Sequence, residues 1–182
     1  MRAVLYSDAW ENLIEADPEV LYIQIEQVDP SKVRDLISML KDEGVDELLI
    51  LDECGVLDPA AKEAVFIVTD HINATGGNPL IGPNDDKAGP RFPDMTFAYS
   101  EKLNSAIRSM LDTRGIAYRD SVLYGSKQPP EDQAETGRLV KTGCRVFCFD
   151  PMWIDIAARH AGIQVGAAVM KGYATNFVSS QA

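Results

Sequence analysis

Apolar and polar positions along the chain alternate between two periods. Ala3 to Tyr6 and Val20 to Ile25 are short apolar runs that read as strands, and Glu47-Leu48-Leu49-Ile50-Leu51 reads as a buried strand. Between them Val33, Leu36, Ile37 and Leu40 fall on one helical stripe. Asp29-Pro30 opens that helix as N-cap and first-turn proline, and Gly44 stops it. The order then repeats. Ala64 to Thr69 predicts a strand, and Ser100 to Arg114 a helix carrying Leu103, Ile107, Met110 and Leu111, with Gly115 as its stop. Val122 to Tyr124 predicts a strand, Glu131 to Thr142 a helix stopped by Gly143, and Val146 to Phe149 a strand. Met152 to Ala161 predicts a helix stopped by Gly162, and Val165 to Met170 a last strand. Strands and helices in this alternation predict an α/β fold with a largely parallel sheet covered on both faces, and residues 1–182 are expected to form a single domain.

One segment breaks the rhythm. From Ile72 to Ala98 the chain passes through Gly76, Gly77, Asn78, Pro79, Gly82, Pro83, Gly89, Pro90 and Pro93, which exclude regular structure over any length. Loops beyond about 12–15 residues are uncommon in compact domains unless functional or disordered. Ile72, Leu80, Ile81, Phe92, Met95 and Phe97 give this one apolar groups to bury, so it is expected to be ordered and packed, against its own domain or a partner subunit.

Composition narrows the function classes. The 182 residues carry 17 Lys+Arg against 28 Asp+Glu, a formal net charge of −11, with 46% hydrophobic and 25% charged residues. That is the profile of a soluble globular domain. The acidic field and the scattered cations argue against nucleic-acid binding. The N-terminal Met1-Arg2-Ala3-Val4-Leu5-Tyr6-Ser7-Asp8 has no signal-peptide pattern, and no run approaches the roughly 20 apolar residues of a membrane span, so the expected location is cytoplasmic. Cys54, Cys144 and Cys148 are an odd set without further ligands nearby and read as buried thiols, with Cys144 and Cys148 expected on one face of a strand.

The segment from Asp70-His71-Ile72-Asn73 through Gly82-Pro83-Asn84-Asp85-Asp86 and Gly89-Pro90-Arg91-Phe92-Pro93-Asp94-Met95 to Ala98-Tyr99 resembles the signature of the trimeric purine nucleoside phosphorylases, the family that includes methylthioadenosine phosphorylase. Ala158-Arg159-His160-Ala161-Gly162-Ile163 resembles a second block, and the likeness runs from Val33 to Val169. The resemblance implies a three-layer α/β/α fold with a mixed, largely parallel sheet and an ordered interface loop. It also implies a homotrimer, no cofactor, no metal, and cleavage of purine nucleosides by phosphate to free base and ribose 1-phosphate. Phe92 corresponds to the aromatic side chain that reaches the neighbouring subunit's active site in the family. His71, in the same block, reads as ordering the loop rather than as an acid or base, and His160 as a helix C-terminal residue.

Set against that pattern, the site is altered. The chain begins after the place of the family's N-terminal Ser loop. Gln24 to Asp29 stands where an Arg/His-bearing phosphate segment is expected and holds Glu26 and Asp29 instead. The family's phosphate-contacting Asn-Ala falls on Asp52-Glu53. Those two read either as solvated acids or as a site re-purposed for a cationic or neutral ligand. Like charges about 4 Å apart repel by roughly 1 kcal/mol in water and about 4 kcal/mol at an effective dielectric of 20. Glu131 falls at the purine-edge Glu, although an acid after Pro129-Pro130 is also ordinary helix-start chemistry. Phe149 falls at the ribose-facing Met, and Asp150 at the following Ser. Tyr173 falls at the purine-orienting Asn, and Asn176, three residues further, substitutes for it only if the strand register shifts. The expected function is therefore a phosphorylase-like protein that has lost phosphorolysis and serves as an oligomeric ligand-binding or interaction module. The alternative is an active purine nucleoside phosphorylase, and a weaker one is a hydrolase using Asp52, Glu53 or Asp150 as base.

Overall fold

The computed structural model describes residues 1–172. Seven strands form the sheet: β1 (Arg2–Tyr6), β2 (Val20–Gln24), β3 (Glu47–Val56), β4 (Val65–Asn73), β5 (Tyr118–Gly125), β6 (Cys144–Cys148) and β7 (Gln164–Lys171). Four helices accompany them: α1 (Val33–Asp42), α2 (Glu101–Thr113), α3 (Gln133–Lys141) and α4 (Asp150–His160). Every element expected from the periodicity is present, with shifted ends. Asp29 accepts a hydrogen bond from the Ser31 amide and starts a 3-10 turn, Pro30–Lys32, that runs into α1. Gly44 and Gly162 stop α1 and α4 with φ of 80° and 77°, a conformation that costs other residues more. The expected helix from Glu131 begins later, because Asp132 rather than Glu131 caps it through the Ala134 amide.

β1 pairs in parallel with β2 and β3, β3 with β7, β4 with β5, and β5 with β6. β4–β7 and β3–β6 are antiparallel, so the sheet is mixed and largely parallel. These pairings close the last five strands into a ring. β3 is long enough to run beside β7 from Glu47 to Cys54 and then meet β6 through Gly55 and Val56.

Apolar residues fall on both faces. Leu48, Ile50, Cys54, Val165 and Val169 join Ile37 and Leu40 of α1 and Ile154 and Ala157 of α4 in one core. Leu51, Val65 and Ile67 join Ile107 and Leu111 of α2 on the other, with Trp10. Trp10 sits in a 3-10 turn, Asp8–Leu13, that the periodicity did not announce. Its indole nitrogen donates to the Asp52 carbonyl at 2.8 Å. The three cysteines are buried, but Cys144 and Cys148 do not share a face. The β5–β6 register slips between Val122 and Leu123, so Arg145 bulges out. Cys144 then packs with Leu57 and Phe147 under α3, while Cys148 joins the α1/α4 core.

Candidate functional site

A cavity of about 310 Å³ opens where the sheet meets the N-terminal end of α4. Its wall is mostly charged: Glu26 and Gln27 from the segment after β2, Asp52 from β3, Lys127 from the segment after β5, and Cys148, Phe149 and Asp150 from the β6–α4 junction. Asp52 is only 7% exposed. Its carboxylate accepts from the Glu53 amide at 2.7 Å and lies 3.6 Å from the Cys148 thiol, which donates to it. Burial, and secondarily the nearby charge of Asp150, lift the Asp52 carboxyl to about 7 despite that amide hydrogen bond. Asp150 accepts from the Val28 amide at 3.0 Å through one oxygen, while the other is buried with no hydrogen-bond partner among the described residues. Burial raises its carboxyl as well. Phe149 stacks on Trp153 with centroids 5.1 Å apart, and the Lys127 ammonium sits 5.0 Å from the Phe149 ring centroid.

The structure thus brings together Glu26, Asp52, Phe149 and Asp150 of the residues marked in the sequence. It separates Asp52 from Glu53. Side chains alternate across a strand, so Asp52 follows Leu48, Ile50 and Cys54 to the α1/α4 face. Glu53 turns the other way and lies against Gly172, where a Cβ would stand 2.5 Å from its Oε2. Asp52 is buried, not a solvated acid. Its cavity-side neighbour in charge is Asp150. Glu131 is exposed on the segment before α3 and does not line the cavity. Tyr173 and Asn176 lie outside the described residues. Lys127 was missed as a site residue. Its signal was weak, one cation in an irregular Ser-Lys-Gln-Pro-Pro segment.

The long loop is fastened at its base. His71 near the end of β4 and Tyr99 just before α2 meet through Nδ1 and the hydroxyl at 3.2 Å, and Asp155 of α4 lies 3.6 Å from the same nitrogen. Asp155 is fully buried and its oxygens make no hydrogen bond among the described residues. Burial pushes the His71 imidazole down and the Asp155 carboxyl well up, so it disfavours the charged form of each partner in this contact. Asp155 had a signal in the sequence, an acid flanked by Ile154 and Ile156 in an apolar helix. Beyond this base, Leu80 and Met95 pack on the α1/α4 core. Ile81, Phe92 and Phe97 stand 71%, 87% and 79% exposed.

The molecule is thus an α/β fold with a closed strand ring, a cavity at the start of α4 and a long loop fastened at its base. The sequence profile described as the phosphorylase superfamily matches residues 28–146. Purine nucleoside phosphorylase 1 of Geobacillus stearothermophilus is 34% identical over 140 residues, 74% of this chain and 50% of that protein. The Bos taurus purine nucleoside phosphorylase is 32% identical over 67% of this chain and 45% of its own length. The crystal structure of the Schistosoma mansoni purine nucleoside phosphorylase in complex with adenosine superposes with a TM-score of 0.81 at 21% identity, over 100% of this chain and 80% of that one. The chain belongs to the purine nucleoside phosphorylase family, and it spans about half the length of the curated relatives it matches. Among the described residues no helix is long and apolar enough to cross a membrane.

Proposed function

We propose that this chain is a phosphorylase relative that has lost phosphorolysis at the family's site and binds a purine base or nucleoside as a homotrimeric, cytoplasmic module. One observation carries the reading. Asp52, at the family's phosphate-contacting position, and Asp150, at the position beside its ribose-facing residue, are each 7% exposed and share one cavity. A helix N-terminus is a ready anion site, but at α4 the first-turn position belongs to the chain's own carboxylate. A phosphate dianion there would meet Glu26, Asp52 and Asp150 against the single cation Lys127. The Phe149–Trp153 stack offers a flat apolar surface to a base or sugar, and the acids offer acceptors to ring and hydroxyl donors. Phe92, exposed on the loop, is the side chain that would cross to a neighbouring subunit. Thermal denaturation with hypoxanthine, adenine and inosine, each with and without phosphate, tests the reading. A purine-induced shift of the same size with and without phosphate is expected; a purine-induced shift that appears only with phosphate would refute it.

A second reading, an active purine nucleoside phosphorylase, is favoured by the Asp52 carboxyl standing at about 7. Below that pH the group is a neutral donor instead of a repelling charge. This reading expects phosphate-dependent turnover that grows as pH falls from 8 to 6.

A further inference from the structure

We propose that a second cavity, at the C-terminal end of α4, binds a compact phosphate-class dianion through Arg34, Lys41 and Lys87, with Ser38 and His160 as hydrogen-bond donors. The cavity measures about 240 Å³ and lies between α1, the end of α4 and the long loop. Its place follows from the fold. Arg34, Ser38 and Lys41 are at i, i+4 and i+7 of α1 and share one face, which looks across the end of α4. Lys87 comes from the loop, whose backbone presses on the last turn of α4. A Cβ on Gly89 would stand 1.9 Å from the His160 carbonyl oxygen, so only glycine lets the loop close this wall.

Two observations point to a ligand. The Arg34 guanidinium, half-buried, forms no hydrogen bond or ion pair among the described residues, in a chain where most other arginines are paired, and the exposed Lys41 and Lys87 side chains are likewise without a carboxylate partner there. His160 is 6% exposed and lines the cavity, and its ring likewise makes no hydrogen bond among the described residues. Cations in the last turn of a helix complement its dipole, which accounts for Lys41 and His160. It does not account for Arg34, which is half-buried in the first turn of α1, the end where a cation is disfavoured. Nor does it account for Lys87, on a loop. The acids present are Asp42, exposed at the end of α1, and Asp85, whose carboxylate accepts the Lys87 amide at 3.0 Å. The local formal balance is positive in a chain of net charge −11.

The chemistry selects the ligand class. A guanidinium and two ammonium groups around a small cavity suit a tetrahedral dianion, with Arg34 able to engage two oxygens and the lysines acting as point charges. A volume of about 240 Å³ holds a phosphate or the phosphoryl end of a small ester. It falls below the roughly 300–1,000 Å³ of sites for larger organic ligands. The inference is independent of the reading given for the cavity at the other end of α4.

Titration of the full chain with inorganic phosphate, against potassium chloride at equal ionic strength, tests it by calorimetry and thermal denaturation. A saturable response is expected, weakened at least tenfold in Arg34→Ala and Lys87→Ala and unchanged in Lys127→Ala. Lys87 is exposed and Arg34 half-buried, and unliganded midpoints matching the parent protein establish that the variants fold. The chain has 2 histidines, so His71→Gln assigns the His160 ring resonances, which are expected to shift with the same dissociation constant. Glycerol 3-phosphate in a parallel titration distinguishes free phosphate from an ester: the tighter of the two identifies the source. No response beyond the chloride control, or one that survives the Arg34→Ala/Lys87→Ala double variant, overturns the proposal. A response abolished by Lys127→Ala instead places the anion beside Asp52 and refutes both this site and the proposed loss of phosphate binding. Phosphate-dependent turnover that persists in the double variant refutes only the latter.

Discussion

The two ends of α4 carry opposite chemistry. About 15 Å apart along one helix, its N-terminal end faces Glu26, Asp52 and Asp150, and its C-terminal end faces Arg34, Lys41 and Lys87. Helix dipoles alone explain a first-turn acid and a last-turn base, and Asp150 and His160 fit that rule. They do not explain why Asp52 is held nine-tenths buried beside another carboxylate, or why Arg34 forms no ion pair among the described residues. In both cases neighbouring elements supply the surplus. The difference in charge between the two ends of α4 thus comes from what the neighbouring loops, strands and α1 bring to each end, more than from the helix itself.

The largest expected effect tests the acidic end. Because the folded Asp52 carboxyl stands at about 7, the unfolded chain gives up that proton first, and the group's contribution to stability is present below about pH 4 and lost as pH rises through 7. Asp52→Asn is expected to remove this pH dependence and to stabilise the protein at pH 8 by at most about 4 kcal/mol. Urea denaturation from pH 4 to pH 8 reads it, and a variant less stable than the parent at pH 8 would contradict the burial argument. Next in size, Asp150→Ala strips the Val28 amide of its acceptor in a buried place and is expected to cost about 1–3 kcal/mol. The phosphate response at the far end of α4 should not change, and a joint loss would show that the two ends are not separate.

Smaller effects separate binding from folding. Phe149→Ala is expected to abolish stabilisation by purines, whereas Glu131→Ala, on an exposed side chain off the cavity wall, leaves it within a degree. The reverse outcome would return base recognition to Glu131. Phe92→Ser is expected to change fold stability by less than about 0.5 kcal/mol while dissociating the oligomer, read by light scattering. An unchanged mass would remove Phe92 from the interface.

Much of the fold was legible because its signals are local. The Val33–Leu40 stripe, the Asp29-Pro30 start and the glycine stops each depend on a few adjacent residues, and each element formed where they indicated. Closure of the strand ring was not legible, since it depends on antiparallel pairings of β3 with β6 and β4 with β7 that no local pattern encodes. The bulge at Arg145 is of the same kind and moved Cys144 off the face of Cys148. The site was half legible. Asp52, Phe149 and Asp150 came through the family pattern, but treating Asp52 and Glu53 as a pair overlooked an alternation the sequence already contained in Leu48, Ile50, Asp52 and Cys54. Asp150 and Lys127 met Asp52 only through the tertiary fold.

The most direct test of lost phosphorolysis is a coupled assay for free base released from inosine and methylthioadenosine as phosphate is raised at pH 7.5. The expected result is no phosphate-dependent rate above the enzyme-free control. A rate that saturates with phosphate, and falls when Asp52 is altered, would contradict it.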